Sequence, residues 1–467
     1  MNGSVNDTPA STPVDLSQPM RIHLVGVGGA GMSAIASVLG AMGHTVTGSD
    51  LKASPTTQRL AAAGVEVGIG HAAAHVGQAE LVMVSTAIAP TNPEVIEAKR
   101  LGVRVLTRAE ATAAVAACRR CVAVSGTHGK TTTTSMLALI LVEAGLRPSF
   151  LIGGDINEIG TNAVWDTGEW LVIEADESDG TFLALDPEIA VVTNVEPDHL
   201  DFYGGFDQLT AAFDRFCTGR PGAVVVGADD TVAARLGRAH DASLVGTAAD
   251  ATYRIVGLRA GRHGVSFDLF HRGSPLGTIT IPVTGANIAR NAAVATVAAL
   301  HVGASFDDAV RAFARFAGVA RRFELRGEAG GVRFVDDYAH LPTEVRAVLE
   351  AARQTGPERV VVVFQPHRYS RIGALGEQFA DAFSAADVVI ITDIFAAGEQ
   401  PRPGVTGRIV ADAVAGNHAE LDVTYIVGRE ELRRHLAAVL RPGDLCLTLG
   451  AGDLTSLPDE LLADPSW

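Results

Sequence analysis

Short apolar runs alternate with Ala-rich or amphipathic stretches along almost the whole chain. Residues 22–27 are apolar, meet a glycine turn, and lead into an Ala-rich stretch at 30–39. Further apolar runs follow at Val46, at 81–84 and at 103–106. Strand–helix alternation of this kind predicts a parallel, doubly wound sheet. A second block opens with a strand at 121–124, crosses another glycine loop, and continues as a helix over 131–144. Strands at 170–174 and 189–195 follow, and a helix is predicted from about 288 to 301. Between them, residues 252–283 alternate and carry turn glycines, which predicts a small antiparallel insertion beside a mixed sheet. A third block starts near Phe323; its runs at 360–364, 388–391 and 445–449 are continuous apolar stretches, as buried parallel strands require. The fold class is therefore α/β.

Composition adds limits to this picture. The chain has 467 residues, enough for about three domains at ~150 residues each. Hydrophobic residues are 47% and charged residues 19%, which is ample for packed cores. Residues 1–19 are polar and rich in Pro, Ser and Thr, so they read as a disordered tail rather than a signal peptide. No apolar run approaches the ~20 residues of a membrane span. No membrane insertion is expected, and a cytoplasmic location is. The net charge of −16 argues against nucleic acid as a partner, which normally needs a basic face. Cys118 and Cys121 form a C-x-x-C with no second pair at zinc spacing, so no metal or redox role is assigned to them.

The first chemical signal is Gly26-x-Gly28-x-x-Gly31 between a strand and a helix, with Asp50 nineteen residues after Gly31. Glycines there admit a diphosphate to a helix N-terminus, and the acid meets a ribose hydroxyl. Nothing in it identifies a nicotinamide; a UDP-sugar carries the same two groups. The second signal is Gly126-Thr127-His128-Gly129-Lys130-Thr131-Thr132, again between a strand and a helix. The full P-loop spacing fails, because Val124 stands where its first glycine would be. The physics remains: loop amides and a helix N-terminus face phosphates, Lys130 adds a cation, and Thr131 can ligate Mg²⁺. The chain holds only three lysines, Lys52, Lys99 and Lys130, so a lysine in this loop suggests that arginine does not serve there.

Two later strands end in acids. The run 170–174 closes on Glu174, ahead of Asp176, Glu177 and Asp179, and 193–201 reads TNVEPDHLD. Acids at the C-terminal ends of parallel strands point into the ligand crevice, and Mg²⁺ on nucleotide phosphates takes one or two protein oxygens. Glu174 is the first metal candidate; His199 could bind metal or touch a γ-phosphate.

Taken together, the motifs resemble the Mur ligase family over about residues 22–454. The resemblance rests on GVGGAGM at 26–32, GTHGKTTT at 126–133, EADESD at 174–179, TNVEPDHLDFYG at 193–204, RRFELRG at 321–327, DDYAHLPTEV at 336–345, FQPHRYSR at 364–371 and GAGDL at 450–454. The DDYAH and FQPHRYSR segments point to the branch that adds L-alanine. The resemblance implies three domains: a UDP-substrate-binding Rossmann-like domain at 20–119, a central P-loop-type ATPase at 120–321, and a Rossmann-like amino-acid/ATP-closing domain at 322–467. It implies joining of UDP-N-acetylmuramate to L-alanine with ATP and Mg²⁺ (or Mn²⁺), through an acyl phosphate.

The resemblance also implies residue roles. Gly28, Gly29, Gly31, Asp50, Ser85 and Thr86 would hold the UDP substrate. The loop 126–132, Asn287, Asn291, Arg322 (or Arg321) and Asp337 (or Asp336) would hold ATP. Thr131, Glu174 and His199 would surround metal. Tyr338, His340, Arg368 and Arg371 would lie near the muramate carboxylate and alanine, where arginine's planar fork suits an anion. Lys130, Glu174, His199, His340, Arg368 and Arg371 form the catalytic set. Two positions depart from the family pattern: Ala286 replaces a histidine before Asn287, and Leu341 replaces a second histidine after His340. No lysine follows Lys130, so the carbamylated lysine of several Mur ligases has no counterpart. A ligase for preformed peptides, an NAD-dependent dehydrogenase on the Gly26 turn, and a non-catalytic nucleotide-binding protein are the competing readings. The first is disfavoured by FQPHRYSR, the second leaves Lys130, Glu174 and His199 unexplained, and intact Lys130, Glu174, His199 and Arg368 argue against the third.

Overall fold

The structure, a computed structural model, describes residues 14–463. Of the tail expected at 1–19, residues 1–13 lie outside the described residues; within the remainder Leu16 is buried. The strands are β1 Arg21–Val25, β2 Thr45–Asp50, β3 Glu66–Ile69, β4 Leu81–Val84, β5 Arg104–Thr107, β6 Arg120–Ser125, β7 Ser149–Ile156, β8 Thr161–Val164, β9 Trp170–Glu174, β10 Ile189–Val192, β11 Ala223–Gly227, β12 Ser243–Gly246, β13 Tyr253–Gly261, β14 Gly264–His271, β15 Ser274–Ile281, β16 Glu324–Ala329, β17 Val332–Asp337, β18 Arg359–Phe364, β19 Val388–Ile391, β20 Asp422–Tyr425 and β21 Asp444–Leu449. The chain forms two compact units, one of residues 1–123, 146–153 and 162–190, the other of 124–145, 154–161 and 191–467.

In the first unit the N-terminal sheet runs β3-β2-β1-β4-β5, all parallel. Val25 stands opposite both Ser49 and Val84, so Gly26, Asp50 and Ser85 leave the sheet at one edge. That shared C-terminal edge is where doubly wound sheets bind ligands. The apolar runs form the strands because helices cover both faces; Leu24, Val25, Val82 and Met83 are fully buried.

In the second unit β11, β12 and β13 are parallel, and β13-β14-β15 form an antiparallel meander. That meander is the insertion expected at 252–283. The helix Lys130–Glu143 is buried on nearly every side and packs against the helix Ala286–Val302. The C-terminal sheet runs β16-β17-β21-β18-β19-β20, with β16 alone antiparallel to its neighbour. Along β18, Val360, Val362 and Phe364 enter one core and Val361 and Val363 the other. This period of two explains the continuous apolar run: both faces of the strand are covered. Leu449 of β21 stands opposite Asp337 and Phe364, which brings the ends of β17 and β18 to one edge.

Candidate active site

Each predicted phosphate site is a glycine turn feeding a helix whose first turn has no side-chain cap. The amides of a helix N-terminus and the helix dipole favour an anion there. In the first unit, Gly29 is the N-cap of the helix Ala30–Ala41. The turn is closed from within: Gly28 N–H donates to Asp50 Oδ2 at 2.8 Å, and Gly26 and Val27 donate to Ser49 O. Asp50 thus shapes the turn that it was expected to serve only as a ribose ligand. Ser85 N–H bonds Val25 O beside Gly26, and Thr86 is exposed in the turn that follows. The Arg108 side chain comes close to Gly31 and pairs with Asp179 at 2.7 Å and Asp176 at 3.4 Å. Two acids of the 174–179 cluster therefore have a cation in place, one that the motifs did not single out. Glu174 accepts from Gly153 N–H at 2.7 Å.

In the second unit the loop is held to the segment after β10. Thr127 N–H bonds Asn194 O, and His128 N–H bonds Asn194 Oδ1 at 2.8 Å. Thr193 Oγ1 and Asn194 Nδ2 donate to His128 O. Gly126 has φ +134° and a Cβ there would lie 2.0 Å from Thr193 Oγ1; Gly129 has φ +78° and its Cβ would meet Asn291 Oδ1 at 2.6 Å. Neither position admits a side chain, which is why the motif keeps glycine at both. Lys130 Nζ donates to Gly126 O at 2.7 Å and to Thr127 O at 3.2 Å, folding back over the loop. Thr131 and Thr132 are buried in the first helical turn.

A cavity of about 350 Å³ opens on this loop. His128, Gly129 and Thr132 line one part; Asn287, Asn291, Arg322 and Asp337 line the rest, with apolar walls from Ile288, Val294 and Val348. The pairs left open by sequence differ in where they face. Arg322 and Asp337 face the cavity, whereas Arg321 bonds Gly450 O and lies 3.5 Å from Asp336, which accepts from Thr448 and Thr455. Arg321 (φ +60°) and Phe323 (φ +49°) sit in left-handed conformations on either side of Arg322. Burial pushes Asp337 up to about 6 against the pull of Arg322. Tyr338 carries the Arg321 and Arg322 guanidinium groups, each 4.9 Å from its ring.

A second cavity, about 150 Å³, is lined by His199, Asp198, Arg368, Ser370, Arg371 and Arg402. Arg371 is buried and forked onto Asp198, at 3.0 Å and 3.2 Å, while Asp198 Oδ2 lies 3.1 Å from His199 Nε2. Burial opposes the charge on Asp198, but His199 and Arg371 hold it well below the usual carboxylate range. Arg371 therefore fixes the acid that carries His199. Arg368 is the freer cation: its buried Nε has no hydrogen-bond partner among the described residues. His340 donates from Nδ1 to Tyr338 O at 3.0 Å; burial, with Arg371, lowers it to about 4 despite Glu344, so it is neutral at pH 7. Its ring centroid is 5.7 Å from that of His367. Leu341 is buried, so the family's second histidine is replaced by a core side chain, and Ala286 opens the helix that presents Asn287 and Asn291.

No group of three or more His, Cys, Asp and Glu among the described residues forms a ready metal cage. The cysteines are free; burial pushes Cys121 up to about 12 and also raises the half-buried Cys118. Sequence reasoning missed Arg108, Glu196, Glu344 and Arg402. Glu344 is the third residue of its helix, and its side chain accepts from the N–H groups of His340 and Leu341, a contact that the sequence pattern does not announce because Leu341 stands at the N-cap.

Three family models match: "Mur ligase family, catalytic domain" at residues 21–120, "Mur ligase middle domain" at 124–299, and "Mur ligase, glutamate ligase domain" at 321–452. A UDP-N-acetylmuramate–L-alanine ligase of Rubrobacter xylanophilus is 47% identical over 451 residues, covering 95% of this chain and all of that protein. The ligase of the same name from Geobacter sp. is 47% identical over 95% of this chain and 97% of its own. The crystal structure of UDP-N-acetylmuramate-alanine ligase from Thermotoga maritima aligns with TM-score 0.81 at 27% identity, over 95% of this chain and 98% of that one. A murein peptide ligase from Psychrobacter arcticus aligns with TM-score 0.69 at 25% identity and the same coverage. By motifs, fold and near-complete coverage, the chain is an enzyme of the Mur ligase family.

Proposed function

We propose that this ligase joins L-alanine to the lactyl carboxylate of UDP-N-acetylmuramate, with ATP giving ADP and phosphate, in peptidoglycan precursor synthesis. The observation that carries the reading is the cavity on the phosphate loop, where His128, Gly129, Thr132, Asn287, Asn291, Arg322 and Asp337 converge. The two asparagines and the apolar walls suit a base, and the loop amides and Lys130 suit phosphates. ATP binds there; the uridine diphosphate binds at the Gly26 turn of the first unit. The chemistry begins when the lactyl carboxylate attacks the γ-phosphorus, forming an acyl phosphate and releasing ADP. Charge spreads over the transferring phosphoryl oxygens, so catalysis is positioning and electrostatic stabilisation. Lys130 supplies that charge from the loop.

Mg²⁺, or Mn²⁺ in its place, would neutralise phosphate charge when bound. Such an ion keeps most of its waters and takes one or two protein oxygens. Thr131 and His199 are its candidates in the second unit and Glu174 in the first.

In the second step the amine of L-alanine attacks the acyl carbon, and phosphate leaves from the tetrahedral intermediate. The alanine ammonium must first lose a proton. His340 is held neutral, with Nδ1–H committed to Tyr338 O, so its Nε2 is the open acceptor. Arg368 receives a carboxylate. The working division of the chain is 20–119 for the UDP substrate, 120–321 for ATP, and 322–467 for the amino acid. The proposed site of action is cytoplasmic; no helix among the described residues is long and apolar enough to cross a membrane.

The test is phosphate release under substrate omission. Release should require ATP, a divalent ion, UDP-N-acetylmuramate and L-alanine together. Equal release without L-alanine, or a preference for a preformed peptide as acceptor, would overturn the assignment.

A further inference from the structure

A run of charged groups ties the phosphate loop to the helix Pro342–Gln354, and phosphoryl transfer itself has no need of it. His128 Nδ1 lies 3.0 Å from Glu344 Oε1, and His128 Nε2 lies 3.2 Å from Glu196 Oε2. Thr343 Oγ1 donates to that same Glu196 oxygen at 2.8 Å. The other Glu344 oxygen accepts from the N–H groups of His340 and Leu341, at 2.8 Å and 3.1 Å. Glu344 cannot turn away without uncapping its helix. His128 is equally constrained, because Asn194 and Thr193 bond its backbone from both sides. All four side chains, His128, Glu196, Thr343 and Glu344, line the cavity on the phosphate loop.

Two carboxylates beside a polyanion site would repel the ligand if they stood alone. With a protonated imidazole between them the group carries one net negative charge; with a neutral one it carries two. The difference matters most where burial keeps the local dielectric low.

We propose that Glu344 is a positioning residue for ATP, locking the phosphate loop to the C-terminal block through the His128 imidazole and keeping that loop receptive to the triphosphate. The proposal rests on reading the cavity as the ATP site. The neighbours of the lock are Glu196 and Glu344 on His128, Arg322 and His340 on Glu344, Asp230 behind Glu196, and Asp337 near Glu344. Burial opposes the charge on His128, but Glu344 and Glu196 outweigh it and raise the group to about 9. The lock is therefore closed at neutral pH and opens as pH rises through about 9.

The experiment follows KM for ATP and kcat from about pH 6.5 to about pH 10 in the wild type, Glu344→Gln and His128→Asn. In the wild type, KM for ATP should stay level through neutrality and climb at the alkaline end. Glu344→Gln should raise KM for ATP about tenfold at neutral pH, the scale of one charged hydrogen bond. It should also move the alkaline inflection to lower pH, while KM for L-alanine stays within about twofold. His128→Asn should remove the inflection. If Glu344→Gln fails to fold, the His128→Asn profile decides: loss of the inflection supports the lock, and an unchanged inflection overturns it. A Glu344→Gln enzyme with a wild-type KM profile for ATP, or with a fall in kcat alone, overturns it as well. Lys130→Ala run in parallel separates the two readings, since normal ATP use by that variant would remove the ATP site itself.

Discussion

Lys130 is the loop's only lysine, in a chain that otherwise relies on arginine for positive charge. Its ammonium already bonds Gly126 O and Thr127 O, so it is pre-placed over the loop rather than recruited from solvent. Lys130→Ala should lower kcat by about 10² to 10³, the usual loss for one donor to a developing oxyanion, with an unchanged melting temperature; near-normal turnover would refute the cradle. A residue of the second cavity makes the opposite kind of prediction. Asp198→Asn leaves the buried Arg371 guanidinium without its carboxylate, and breaking a buried pair from one side costs about 3–5 kcal/mol. That variant should show a clear drop in thermal midpoint as well as activity; a loss of activity alone would mean that Arg371 is not held by Asp198. The contrast shows what residue-level reading can reach. Lys130 was legible because its role is set by five neighbours in sequence. Arg371 was legible as a cation, but its buried partner lies 173 residues away, and the local pattern is silent about that distance.

Elements were legible in proportion to how completely they are buried. Trp170–Glu174, Leu81–Val84 and Val388–Ile391 match their apolar runs end to end, because both faces are covered and no polar residue interrupts them. The strands Ala223–Gly227 and Ser243–Gly246 were not read at all; each ends on a glycine, and the second offers only Leu244 and Val245 as large apolar residues. The helix Pro93–Arg100 was also unread, and it delivers an unexpected group. Its Glu94 is fully buried, accepts from Ser49 Oγ and Ala72 N–H, and meets His75 at 2.8 Å and His23 and His71 at 3.5 Å. Burial opposes its charge, yet His23, Ser49, His75 and Ala72 bring it down to about 2. A carboxylate lowered on folding contributes stability that is present above its ordinary value of 4.5 and lost as pH falls toward about 2. The N-terminal sheet should therefore weaken across that acid window, and Glu94→Gln should flatten the acid limb of stability followed by circular dichroism. An acid limb unchanged in Glu94→Gln would show that other carboxylates set it.

At the scale of the whole molecule, the compact units cut the chain differently from its sequence blocks: residues 146–153 and 162–190 cluster with the N-terminal block, and 124–145 with the C-terminal one. Local periodicity finds elements but not which distant strands pair, so the blocks were visible and their grouping was not. Net charge, by contrast, is a whole-chain property available from sequence alone, and it bears on how the substrates are bound. A chain of net charge −16 that takes ATP and a nucleotide sugar has an average field that repels both. Attraction has to come from groups at contact distance, for which the proposed sites offer the helix N-termini, Lys130, Arg322 and Arg368. Salt screens charges separated by more than about 8–10 Å and leaves enclosed contacts largely intact. KM for ATP should therefore rise less than about tenfold between 50 mM and 500 mM NaCl, unlike the losses of about 10³ to 10⁵ typical of proteins that bind polyanions through a charged face. Steady-state kinetics across that salt range provide the check. A rise of two orders of magnitude would mean that an extended field, rather than the phosphate loop and its immediate neighbours, holds the nucleotide.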